Sequence, residues 1–185
     1  ACSLPGFVVL SPADDKSMRA CIELAVDTEG PFVVRAGRPK VPVIYDSEDG
    51  FRVGGSRQLL DGGGVTLMAH GLMVAESIRA AEALDAEGIA ARVIDMYSLK
   101  PLDREAIVRA AKETGAIVVS EEHLVDAGLG VRVAQVVSET SPCPMEFVGL
   151  TDYAESGTPD ELLDKYGMRA APVVAAAKRA LARKK

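Results

Sequence analysis

The chain has no tryptophan, 4% aromatic residues, and only 2 histidines and 3 cysteines among its 185 residues. Its core therefore has to be aliphatic, and a hydrophobic content of 48% is enough to build one. Cys2, Cys21 and Cys143 form no C-x-x-C pair, and an odd number is a poor disulfide framework, so all three are expected as reduced thiols. Basic charge is also short. With 21 Lys and Arg against 27 Asp and Glu, the net charge of -6 argues against nucleic acid or an anionic membrane as the main partner. The basic cluster Lys178-Arg179 with Arg183-Lys184-Lys185 reads as a solvated helix end favoured by the dipole. No stretch reaches the ~18 apolar residues of a membrane span, and the N-terminus shows no basic segment followed by an apolar run. A cytoplasmic location is the expectation. Neither a G-x-S-x-G elbow, a phosphate loop, an H-x-x-x-H nor a pair of cysteines is present, so no metal site and no hydrolase nucleophile is expected.

What is present is a βαβ alternation. The apolar run Val93-Ile94 is a strand that ends in polar residues, and a loop follows, pinned by Pro101, which disfavours helix at Lys100. Asp103 can cap a helix carrying Ile107, Ala110 and Ala111, which Gly115 ends. Ala116-Ile117-Val118-Val119 is apolar on both sides, as a parallel strand covered on both faces requires. The same pattern predicts strands at Phe7 to Leu10, Phe32 to Val34, Val65 to Ala69, Ala91 to Met96 and Met145 to Val148. Helices are expected with Met18, Ile22 and Ala25 on one face, with Val74, Ile78, Ala81 and Leu84 on another, and over Val131 to Ser138. Thr158-Pro159-Asp160-Glu161 is a capping box with proline at the first helical position, and Pro172 opens a terminal helix. From Pro39 to Gly64 the periodicity fades into turn residues, which predicts a linker with one short strand at Val41 to Tyr45.

Four features could carry chemistry. Gly128-Leu129-Gly130 invites a dinucleotide reading, but Val133 stands where the third glycine belongs and the strand ends too early, so a helix start packed tightly on its sheet is the better account. His70 and His123 both fall at C-terminal ends of predicted parallel strands, where open α/β sheets bind ligands. No nucleophile motif accompanies either, and loop anchoring or an interface contact is the simpler role. Asp14-Asp15 and Glu121-Glu122 are adjacent carboxylates, better read as caps and strand ends than as an acid/base couple. Arg35 and Arg38 follow a strand in a turn containing Gly37 and Pro39, where a guanidinium can present its fork to a phosphate or join two domains as an ion pair. The residues alone leave those two roles open.

Taken together, Arg38-Pro39 after a strand, Lys100-Pro101-Leu102-Asp103, Glu121-x-His123 before Gly128-x-Gly130, and Ser156-Gly157-x-Pro159 ahead of Glu161-Leu162-Leu163 resemble the C-terminal portion of the transketolase family. The matches fall in order over residues 5 to 180. The resemblance implies an α/β three-layer sandwich with a mainly parallel sheet of about five strands, preceded by a strand-helix-strand remnant of a second α/β domain. Residues 1–38 would end a pyrimidine-binding domain, 39–64 form a linker, and 65–185 make the transketolase C-terminal domain. It further implies two-carbon ketol transfer between sugar phosphates by a dimer using thiamine diphosphate and Mg, with Arg38 binding the sugar phosphate because Ala36-Gly37-Arg38 matches the family's strand ending. The cofactor-binding regions of that family have no counterpart here. The chain alone is then an inactive assembly module, with no catalytic, metal or cofactor residue of its own, that needs an N-terminal domain or subunit. Deoxyxylulose phosphate synthase and the β subunit of a 2-oxo acid dehydrogenase are alternatives within the superfamily, and a flavodoxin-like regulatory or protein-binding domain is one outside it. Residues 1–38 should expose strand edges and an apolar helix face, which favours self-association.

Overall fold

The computed structural model describes residues 1–184. A five-stranded sheet forms the centre, built from β3 (Arg57–Leu60), β4 (Val65–Ala69), β5 (Ala91–Asp95), β7 (Ile117–Leu124) and β8 (Met145–Leu150) in the order β3-β5-β4-β7-β8. β5, β4, β7 and β8 run parallel, and only β3 is antiparallel to its neighbour. All five residues of both β4 and β5 are buried, as expected of strands with helices on both faces. On one face lie α2 (Met73–Asp85) and α6 (Ala170–Ala182), whose Val74, Leu84, Val173 and Ala177 pack with Leu67 and Val93. On the other lie α3 (Arg104–Thr114) and α4 (Leu129–Thr140), which bury Ile107 and Val133 against Met68 and Ile117. This is the expected three-layer α/β sandwich.

Local signals set the helix ends. Asp103 caps α3 by accepting the Ala106 amide at 3.0 Å, and Gly115 ends that helix at φ 63°, a left-handed conformation that favours glycine. The short α5 (Pro159–Lys165) opens on the Thr158–Glu161 capping box with Pro159 in its first turn. Helix α6 begins at Ala170, two residues before Pro172.

A second, three-stranded sheet has the order β2-β1-β6. β1 (Val8–Leu10) and β2 (Phe32–Val34) are parallel and joined by α1 (Asp15–Asp27), which Asp14 caps. The third strand, β6 (Ser98–Lys100), comes from the other unit and pairs antiparallel with β1. The stretch before Pro101, expected as loop, thus binds the strand-helix-strand unit to the larger sheet.

Two further expectations change. Val41 to Tyr45 is not a strand, because Pro42 has no N–H and the Ile44 and Tyr45 amides donate to the Asp14 carboxylate, at 2.7 and 2.9 Å, instead of to a strand. The strand of this region is β3. The face of α1 is also rotated from the expected one. Ser17, Ala20 and Cys21 are buried, whereas Ile22 is 48% and Val26 77% exposed, so an apolar stripe of α1 faces outward.

Candidate functional site

A groove of about 1100 Å³ runs between the turn after β2 and the C-terminal edge of the larger sheet. One wall is the segment from Arg35 to Pro42, the other is Ser156 to Leu163 with Arg169, and the start of α2 makes the floor. Both sequence-selected arginines line it, and they differ sharply. Arg35 donates from Nη2 to the Glu122 carbonyl at 2.8 Å and lies 3.5 Å from its carboxylate Oε2. It is the ion pair between the two units. Arg38 is exposed and makes no hydrogen bond or ion pair among the described residues. A guanidinium left open beside a groove is available to an anion from outside.

The opposite wall is held by charges that satisfy one another. Glu76, in the first turn of α2, accepts the Ala170 amide at 2.9 Å and the Arg79 guanidinium at 2.6 Å. Arg169 spans Asp164 and Asp160, each at 2.8 Å, and also lies 3.7 Å from Glu76. Sequence reading missed this wall, since Glu76 meets Ala170 and Arg169 from far away in the chain and each charge alone resembles an ordinary surface one.

Behind the groove, Glu121 is buried and turned into the start of α4, where it accepts the Leu129 amide at 2.7 Å and the Gly130 amide at 2.8 Å. His70 Nε2 stands 3.7 Å from the same carboxylate, and His70 Nδ1 is 2.9 Å from Ser11 Oγ. Burial pushes the Glu121 carboxyl up, but His70 and the Gly130 and Leu129 amides outweigh it and hold it below its ordinary 4.5. The glycine turn therefore has a structural cause. A Cβ on Gly128 would sit 1.8 Å from Glu121 Oε2, and one on Gly130 would sit 2.6 Å from the Phe147 ring. With this helix N-terminus filled by an internal carboxylate, it has no room for a phosphate. His70 is fully enclosed and joins the end of β4 to the residue after β1, whereas His123 is half-exposed and approaches only the Leu124 carbonyl, at 3.2 Å.

In the same sheet, Asp95 ends β5 in complete burial and accepts the Tyr45 hydroxyl at 2.6 Å through Oδ2, while its Oδ1 has no partner. Burial, with a smaller push from Asp14, raises this carboxyl to about 7 against the pull of Tyr45 and Arg57. A folded-state value above the unfolded one makes Asp95 favour folding at low pH, and that contribution declines as pH rises from about 4 to about 7. Asp95→Asn keeps an acceptor for Tyr45 and cannot ionise. We expect its stability relative to wild type to improve between pH 5 and pH 8 in urea titrations, and an offset equal at both pH values would contradict this.

Among the described residues, no group of three or more His, Cys, Asp or Glu side chains is placed to hold a metal ion. The three cysteines are free thiols, and burial pushes Cys21 up to about 12. No helix is long and apolar enough to cross a membrane among these residues.

Comparison with known proteins agrees with the fold. Residues 54–173 match the family model described as transketolase, C-terminal domain. The chain is 38% identical over 183 residues to a 6-deoxy-6-sulfo-D-fructose transketolase subunit of Clostridium sp. (strain MSTE9), covering 98% of this chain and 57% of that protein. It is 39% identical over 168 residues to an apulose-4-phosphate transketolase subunit of Phocaeicola vulgatus, covering 90% of this chain and 54% of that one. It therefore spans little more than half the length of these relatives. Among solved structures it resembles a split-gene transketolase described as an inactive beta4 tetramer, at 46% identity and a TM-score of 0.97, over 100% of this chain and 61% of that one. A family model that covers well over half of the chain, subunit relatives matched along nearly all of it and a shared fold lead to one conclusion: the chain belongs to the transketolase family, as a C-terminal section of it.

Proposed function

We propose that this chain is the C-terminal part of a split transketolase subunit, working in an enzyme that moves two-carbon ketol units between anionic sugars. The observation that supports this best is the open Arg38 guanidinium on the groove between the two units. The named sugars of the two relatives carry a sulfo group and a phosphate, each an anion that such a side chain can bind. Arg38 would hold that anionic end while the reacting carbonyl lies elsewhere. Residues 1–38 would complete a pyrimidine-binding domain, 39–64 connect it, and 65–185 form the C-terminal domain.

Thiamine diphosphate with a divalent cation supplies the carbanion chemistry of this family, and this chain's own residues do not fit that group. The N-terminus of α4, in the glycine turn, is filled by the Glu121 carboxylate, and no suitable ligand cluster for the cation exists among the described residues. The cofactor then belongs to a partner domain or subunit, and the chain by itself is inactive. Self-association fits the outward Ile22 and Val26 of α1, and a cytoplasmic setting fits the free thiols.

Titration calorimetry with Mg and thiamine diphosphate tests the division of labour. No binding in the micromolar range is expected for the chain alone, whereas mixing it with a cofactor-bearing partner should produce ketol transfer from a ketose phosphate. Micromolar binding by the chain alone would overturn the assignment of the cofactor to the partner. An assembled enzyme that uses no ketose donor would favour the other superfamily activities.

A further inference from the structure

Strand β2 ends at Val34, and Arg35 continues its ladder by donating its backbone N–H to the Leu10 carbonyl at 2.8 Å. The side chain then leaves that sheet and reaches the end of β7, where it holds the Glu122 carbonyl and carboxylate. Successive strand residues point to opposite sides, so while Glu121 turns into α4, Glu122 turns toward the Arg38 turn. A Cβ on Gly37 would lie 4.0 Å from Glu122 Oε2, which places that carboxylate against the turn itself. Arg38 has no side-chain partner among the described residues, so its position depends on the backbone of this turn. The anchor of that backbone across the unit boundary is Arg35.

We propose that Arg35, held by Glu122, is a positioning residue that fixes the Arg38 guanidinium in the groove. The assignment rests on the reading of Arg38 as the anion-binding group. The Arg35 guanidinium is committed to Glu122 and contributes by pre-orienting the residue that meets the anion, since a binding group held in place loses less freedom when its ligand arrives. It follows that the two arginines act on one contact, and their substitutions should not add.

The test is a double-mutant cycle in the assembled enzyme, comparing a phosphorylated ketose with its unphosphorylated analogue. Arg35→Gln is expected to lower the preference for the phosphorylated sugar about tenfold, mainly through KM. In an Arg38→Ala background the same substitution should change that preference little. Arg35→Lys should recover part of the loss, because an ammonium can still reach the Glu122 carbonyl. Should Arg35→Gln not fold, Glu122→Gln keeps the backbone acceptor and should shift the preference in the same direction by roughly two- to fivefold. If both sugars suffer equally and the melting temperature falls, Arg35 is only a tie between units and the proposal fails. Additive losses in the double mutant would also overturn it, even with Arg38 selective on its own. An Arg38→Ala enzyme without any selectivity would remove the reading of Arg38 and this assignment with it.

Discussion

Glu121→Ala is expected to destabilise the chain by about 3–5 kcal/mol, the range seen when one member of a buried charged network is removed. The carboxylate is 2% exposed and takes two amide donors from the first turn of α4, so its loss strands the Leu129 and Gly130 N–H groups in a closed space. It also leaves His70 facing a cavity. Urea titration should show a lower midpoint with an unchanged slope. Glu121→Gln adds a pH signature. The wild-type carboxyl is held below its ordinary 4.5, so its contribution is complete above that unfolded value and is lost as pH falls through the lower folded one. The cost of the amide should therefore be largest near neutrality and shrink below pH 4. A loss under about 1 kcal/mol, or one independent of pH, would mean the network contributes little.

That network shows what can and cannot be read from a chain of this kind. Apolar runs such as Val65 to Ala69 and Ile117 to Val119 are legible because burial on both faces of a parallel strand demands uniform hydrophobicity. The caps at Asp103, Gly115 and Thr158 are legible because each satisfies a local backbone need with a specific residue type. Strands β3 and β6 were not, for they are short, carry Arg57 and Lys100, and exist only through partners far away in sequence. The outward rotation of α1 was hidden for a related reason. Apolar periodicity marks a stripe, but it is the small Cys21 that packs against Leu10 and Tyr97 and sets which face of the helix turns inward.

The candidate site was half legible. The turn bearing Arg38 stood out because a proline and a glycine flank a charge at a strand end, yet nothing local separated Arg38 from Arg35. Glu122 across the boundary makes that distinction, by pairing with one and leaving the other open. Glu121 was seen as one of two adjacent carboxylates, and the signal that identifies its role is the glycine spacing downstream. Gly128 leaves space that a methyl group would take from the carboxylate.

Arg38→Ala, made in the assembled enzyme, is expected to weaken use of phosphorylated sugars far more than of their unphosphorylated analogues. The substitution removes a charge-assisted contact to an anion remote from the reacting carbonyl, and such bonds contribute roughly 1.5 to 3 kcal/mol. That corresponds to about one to two orders of magnitude in the specificity constant. Folding should barely change, because the side chain is exposed and has no partner among the described residues whose loss would be felt. Arg38→Lys should rescue only in part, keeping the charge but losing the planar fork that meets two oxygens together. A sulfonated sugar offers a further arm, since it presents fewer charges to the same guanidinium and should lose less than a phosphate does. Specificity constants for the three substrate types, measured beside a melting curve, separate anion binding from a structural role. Equal losses on all of them, or a fall in melting temperature that accounts for the lost activity, would take Arg38 out of the site.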